Sequence, residues 1–109
     1  MIDEQKKLET RQLFERCSPM FIALGDAVRH KLLLEIADAG AEGRNVSDLT
    51  ATTQLSRPAV SHHLKVLKDA GIVKPVKIGT QIFYCLDIKD KIGSIKDLVL
   101  SIEEIVNNM

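Results

Sequence analysis

The chain has 109 residues, room for one domain with a modest core, so a partner subunit would add burial that the chain alone lacks. Hydrophobic residues at 45% and charged residues at 28% exclude a disordered chain, and only 4% aromatic residues points to an aliphatic, helical core. Fifteen basic residues balance fifteen acidic ones, and a net charge of zero argues against a protein that coats DNA without specificity.

Residues 1–7 lack the apolar run of a signal peptide, and the longest uncharged run nearby, residues 17–25, is too short to cross a bilayer. Two cysteines are too few for a disulfide framework and fit a reducing compartment. The expectation is a cytoplasmic protein with no membrane partner.

A first helix is expected over residues 4–17, with Leu8, Leu13 and Phe14 on an irregular apolar face. Ser18-Pro19 reads as a cap followed by a proline start, which predicts a short second helix over residues 19–24, stopped by Gly25. Asp26 caps a third helix over residues 27–39, with Leu32, Leu33, Ile36 and Ala37 inward and Gly40 as its stop. Residues 41–44 read as a loop. Asn45-Val46-Ser47-Asp48 is close to a capping box and opens a short helix over residues 46–53.

Residues 55–73 are the most informative stretch. Ser56 is a natural N-cap, Pro58 falls in the first turn where no helical N–H is needed, and Gly71 closes the helix. At about 100° per residue, Val60, Leu64 and Leu67 share one stripe. Arg57, Pro58, Ser61, His62 and Lys65 share the opposite side, at the positive end of the helix dipole where phosphates are attracted. His63 flanks the apolar stripe and reads as a packed, hydrogen-bonded side chain. Two helices joined by a turn of three or four residues make a helix-turn-helix, with an ordinary helical hairpin as the plainer alternative. Residues 56–81 carry a net charge of +4, while residues 1–55 and 82–109 each carry −2.

After Gly71 the pattern changes to β-formers on both sides of Gly79, which predicts a hairpin. Pro75 cannot donate to a ladder and places the first strand at an edge or a bulge. A hairpin after a recognition helix is a wing, and Lys74, Lys77, Thr80 and Gln81 near its tip can reach DNA. Lysines there also protect an edge strand from aggregation. Asp87 is the expected cap of a last helix over residues 88–107. Ile92, Ile95, Val99, Ile102 and Val106 recur at spacings of three and four, and Leu98 and Ile105 widen the stripe. So broad a stripe predicts the same helix of a second subunit as its partner, with Leu13 and Phe14 joining the interface; packing wholly on its own core is the alternative.

These motifs resemble those of the arsenic-repressor (ArsR/SmtB) family of winged-helix regulators. Residues 24–33, Leu-Gly-Asp-Ala-Val-Arg-His-Lys-Leu-Leu, are similar to the family's opening motif, and Val46-Ser47-Asp48-Leu49 resembles the first helix of its helix-turn-helix. Residues 55–73 resemble its recognition-helix signature, with the Ser-x-His-Leu core at Ser61-His62-His63-Leu64, and Ile82-Phe83-Tyr84-Cys85-Leu86 resembles its second wing strand. The similarity spans roughly residues 20–87.

The resemblance implies a mainly α fold with a small β-hairpin (α+β), a winged helix-turn-helix dimerising through its terminal helices. Residues 1–24 would be N-terminal dimerisation helices, 26–71 the helical core, 72–86 the wing and 87–109 the C-terminal dimerisation helix. It implies a homodimeric, sequence-specific repressor that binds an imperfect palindrome in double-stranded DNA and is released by an effector. Ser56, Arg57, Pro58, Ser61, His62 and Lys65 would face DNA, with Lys77, Thr80 and Gln81 of the wing as auxiliary contacts.

The chain departs from the family's metal sensors. The start of the first helix of the helix-turn-helix has no thiol, and the last helix has Asp90, Asp97, Glu103 and Glu104 but no histidine. His62 and His63, about 100° apart on a helix, are poor co-ligands, so no metal and no cofactor is expected. Cys17 and Cys85 leave a thiol redox pair as an alternative sensing mode, against two buried small hydrophobes as the plainer reading. No nucleophile–base pair, paired-carboxylate motif or glycine-rich phosphate loop supports an enzyme. The rival from another class is a winged-helix protein-interaction module without DNA binding.

Overall fold

Side-chain caps set the frame of the helices. The computed structural model describes residues 2–109. Asp3 accepts from the Gln5 N–H at 3.3 Å and opens α1, Glu4–Ala23. Asp26 accepts from Val28 at 2.8 Å and Arg29 at 3.2 Å and opens α2, Ala27–Asp38. Asn45 and Asp48 cap α3, Val46–Thr53, reciprocally, with bonds of 2.8 and 3.4 Å between each side chain and the other's N–H. Ser56 accepts from Ala59 at 3.2 Å and opens α4, Arg57–Asp69, with Pro58 in the first turn. Each cap satisfies donors that a helix start leaves orphaned.

The strands β1 (Arg44–Asn45), β2 (Val73–Ile78) and β3 (Gln81–Leu86) form an antiparallel sheet in the order β1-β3-β2, followed by α5, Lys89–Asn107. Pro75 therefore lies in an edge strand, where a missing donor is tolerated. The hairpin turns over Gly79-Thr80, with Ile78 opposite Gln81 and Gly79 at φ 64°, the glycine-first pattern of a two-residue loop. This is a winged helix-turn-helix.

Several local expectations are corrected. The two N-terminal helices over residues 4–17 and 19–24 are one helix that runs through Pro19. An interior proline forfeits a backbone bond and crowds the carbonyl four residues back, a cost of about 3 kcal/mol. The burial of Cys17, Met20 and Ala23 on one face, each 3% exposed or less, holds the helix across it. Leu8 and Phe14, on the apolar face of that helix, are exposed in the single chain.

Asp87 does not cap α5. Ile88 holds the cap position with helical backbone and no side-chain bond, while the Asp87 N–H donates to the Ile72 carbonyl at 2.8 Å and ties the end of β3 to the start of β2. Ala37, expected inside, is exposed. Residues 41–44 are not a plain loop: a 3-10 turn, Gly40–Glu42, leads into β1, where Arg44 pairs with Tyr84 and Asn45 with Phe83.

The core gathers Met20 and Ala23 of α1, Leu32 and Ile36 of α2, Leu49 of α3, Val60, Leu64 and Leu67 of α4, and Ile72 and Val73 at the start of the wing. α1 and α5 pair beyond it. Their seam buries Leu98 and a hydroxyl pair, Thr10 Oγ1 and Ser101 Oγ at 2.6 Å. Thr10 donates to the Lys6 carbonyl at 2.8 Å, so its single proton is spent and Ser101 is the donor between them. Lys6 also pairs with Glu104 across the seam. The radius of gyration is 17.0 Å, against about 13 Å for a compact domain of this size. The α1–α5 arm accounts for the difference.

Gly43, just before β1, has no room for a side chain. At φ 69°, ψ −169° its backbone is in a region that is essentially glycine's alone, and a Cβ there would lie 2.5 Å from the Tyr84 carbonyl oxygen and 2.7 Å from Cys85 Sγ. Gly43→Ala is expected to cost about 3 kcal/mol in chemical denaturation, from backbone strain plus the clash; a loss below about 1 kcal/mol would contradict this geometry.

Candidate nucleic-acid interface

The rotation of α4 about its own axis builds the surface. Val60, Leu64 and Leu67 are fully buried, so the residues half a turn away face solvent. Arg57, Pro58, Ser61, His62 and Lys65 are all exposed, as is Ser56. The Ser56 oxygen accepts from Ala59 but its hydroxyl proton remains free to donate. Lys65 Nζ pairs with Asp69 at 3.1 Å, one helical turn away and in solvent. Such pairs contribute little, so the ammonium exchanges readily to another anion.

Two long-range bonds tie neighbouring elements to this face, and neither has a sequence signature. Arg57 Nη1 donates to Ser47 Oγ at 2.9 Å, which joins the first turns of α3 and α4. Asn45 Nδ2 donates to Gln81 Oε1 at 3.2 Å, which joins the α3 cap to the wing. Ser47 and Asn45 are therefore polar members of the surface that periodicity in α4 could not identify. Lys77, Thr80 and Gln81 are exposed on the wing. They do not share one face: Lys77 pairs with Ile82 and Gln81 with Ile78, and side chains alternate across the hairpin.

His63, one step round from the exposed face, is partly buried and bonded. Arg29 Nη1 lies 3.3 Å from His63 Nδ1. The same guanidinium donates to the main-chain carbonyls of Ala23 at 2.6 Å and Ile22 at 3.3 Å, at the end of α1. Its side chain is 13% exposed and lies 3.8 Å from the Asp26 carboxylate. The hydrogen bond from the Arg29 N–H holds the Asp26 carboxyl below its ordinary value; partial loss of hydration opposes this, and the Val28 N–H and the charge of Arg29 reinforce it. Arg29 had no part in the periodic reading because its partners lie at the end of α1, on α4 and at the cap of α2.

The apolar stripe of α5 is split by the fold. Leu98 is buried and Ile105 half-buried, and Ile95 packs at the edge of the core. Ile92, Val99, Ile102 and Val106 stay exposed, at 40, 55, 37 and 57%. On α1, Phe14 is 48% exposed and Leu13 half-buried.

Cys17 and Cys85 are both free thiols. Cys17 lines a cleft of about 410 Å3 between α1, the end of α4 and the start of α5, whereas Cys85 lines another beside the 3-10 turn and β2. The two thiols line different clefts and form no disulfide. Among the described residues no three His, Cys, Asp or Glu side chains converge as metal ligands. The rings of His62 and His63 meet edge-on, 5.7 Å between centroids. Among the described residues no helix is long and apolar enough to cross a membrane.

Comparison with known proteins places this surface in a family. Residues 26–74 match the model described as bacterial regulatory protein, arsR family. An uncharacterized HTH-type transcriptional regulator of Methanocaldococcus jannaschii is 36% identical over 86 residues, 79% of this chain and 93% of that protein. The transcriptional repressor SdpR of Bacillus subtilis is 31% identical over 68 residues, 62% of this chain and 72% of that one. Among solved structures, an ArsR-like transcriptional regulator from Rhodococcus superposes with a TM-score of 0.74 at 26% identity, over 87% of both chains. A homodimeric winged helix-turn-helix DNA-binding domain from Mycobacterium bovis shares the fold, with a TM-score of 0.61 at 21% identity over 98% of this chain and 89% of that one. The chain belongs to the arsR family of bacterial regulatory proteins, winged helix-turn-helix transcriptional regulators.

Proposed function

We propose that this chain is a homodimeric repressor that lays α4 in the major groove of an imperfect palindrome and is released by an effector. The observation that carries the reading is the two-sidedness of α4: three fully buried aliphatic residues on one side, and Arg57, Ser61, His62 and Lys65 exposed on the other. Arg57 and Lys65 are the candidates to read guanine, and the serines and the helix N-terminus suit phosphates. Lys77, Thr80 and Gln81 of the wing suit the backbone or the minor groove. The family's regulatory role and the repressor name of the Bacillus subtilis relative support repression.

Dimerisation rests on the arm. A monomer leaves Phe14, Val99, Ile102 and Val106 in water on one extended helical pair, which a two-fold partner would cover. The dimeric state of the Mycobacterium bovis neighbour supports it. Two recognition helices related by that axis would meet successive major grooves about one helical turn apart.

The first test is binding of the purified chain to DNA from its own promoter across a salt series. Site-specific binding with a steep salt slope is expected. Arg57→Ala or Lys65→Ala is expected to cost about 1–3 kcal/mol at the cognate site and to relax preference there. A folded chain that binds no sequence better than random DNA would favour the protein-interaction reading.

The second test is oligomeric state by light scattering. Val99→Glu is expected to give folded monomers, because Val99 is 55% exposed in the single chain and its replacement leaves the subunit core intact. A dimer unchanged by Val99→Glu would contradict the α5 seam.

A further inference from the structure

Arg29 is held at a junction of three elements. Its guanidinium is fixed by the carbonyls of Ile22 and Ala23 at the end of α1, its own helix is α2, and its Nη1, 3.8 Å from the Asp26 carboxylate, reaches His63 on α4 at 3.3 Å. A guanidinium is always protonated and only donates, so His63 Nδ1 must accept. That requires a neutral imidazole with its proton on Nε2. The bond is made from the side of α4 away from the exposed polar face, where it ties the helix to the rest of the core.

We propose that Arg29 is a positioning residue for α4 and that its bond to neutral His63 makes operator binding sensitive to acid. The proposal rests on the reading of α4 as the DNA-binding helix. When His63 takes a proton on Nδ1, the acceptor is lost and two cations face each other. Arg29 cannot swing away without giving up its short bond to the Ala23 carbonyl, although the Ile22 carbonyl would keep the Gly25 N–H. The docked position of α4 is therefore favoured while His63 is neutral and is lost when His63 is protonated.

The charged groups at this point are few. Asp26 and Arg29 are contributed by the start of α2, and His62 neighbours His63 on α4. Asp26 stays ionised through the imidazole range, because the Arg29 N–H holds its carboxyl low. Its charge favours a proton on His63 but is already shared between the helix cap and Arg29. α1 presents main-chain carbonyls. The ionisable groups of α3 and β2 are engaged or exposed elsewhere, Asp48 in its cap and Lys74 and Lys77 on the wing. His30 contacts the Leu24 carbonyl through Nε2, and as a donor it keeps that bond in either charge state.

His62 lies on the proposed DNA face, where its protonation would strengthen phosphate binding and mask the effect. The test therefore compares H62Q with the H62Q/H63Q double variant, by fluorescence anisotropy on promoter DNA from pH 7.5 to 5.5 at fixed salt. Glutamine can accept from Arg29 and does not titrate. H62Q is expected to lose about tenfold in affinity across the range, on the scale of one charge-assisted hydrogen bond, and the double variant to lose little. Equal pH slopes in the two variants would overturn the proposal.

A second readout needs no DNA. 15N-imidazole NMR of the native chain at neutral pH should find His63 as the Nε2–H tautomer, with Arg29→Lys removing that preference. A His63 that carries its proton on Nδ1, or is indifferent to Arg29→Lys, would overturn the clamp whether or not the chain binds DNA. A correct tautomer in a chain that binds no promoter sequence would instead overturn the DNA-binding reading, and with it the acid-sensitive operator binding.

Discussion

Everything on the proposed DNA side depends on the burial of one stripe on α4. Val60, Leu64 and Leu67 are removed from water completely, against Leu32 and Ile36 of α2 and Leu49 of α3. Burial of three aliphatic side chains contributes about 1.5–3 kcal/mol each and fixes how α4 is rotated. Once the rotation is fixed, the directions of Arg57, Ser61, His62 and Lys65 follow without further interactions. A polar substitution in the stripe would therefore damage the surface and the core together.

The other elements hold that helix at its ends and flanks. Ser56 and the Ser47–Arg57 bond define its start. Beyond Ala70, Gly71 takes a left-handed conformation at φ 74°, its N–H bonds the Lys68 carbonyl, and the Ile72 N–H bonds that of Leu67, so the chain turns directly into β2. The wing is thus rigidly attached to the end of α4, and Asn45–Gln81 attaches it again to the start of α3. Arg29 secures the same helix from beneath. The α1–α5 arm stands apart from this arrangement, with its own buried hydroxyl pair and ion pair and an exposed apolar side.

What could be read from the chain and what could not divides by range in sequence. The α3–α4 unit was legible because its signals are local: Asn45 with Asp48, Ser56 before Pro58, a stripe at helical spacing, and glycine at the end. The hairpin was legible from Gly79 between β-formers, and Pro75 correctly implied an edge. Pro19 misled because local propensity was overruled by the burial of Met20 and Ala23 on the far side of it. Asp87 misled because its backbone is bonded to Ile72, fifteen residues away. β1 is two residues long and owes its existence to Tyr84 and Phe83, so it has no pattern of its own. In the candidate surface, the exposed positions of α4 followed from its period, whereas Ser47, Asn45 and Arg29 enter through contacts that no spacing encodes.

The most direct test of the account is hydrogen exchange of the intact chain with and without DNA from its own promoter. The account predicts added protection in residues 56–65 and around the Gly79-Thr80 turn, with the interior of α2 unchanged. Protection confined to the α1–α5 arm, or none while the DNA is bound, would contradict the assignment of α4 as the helix that reads DNA.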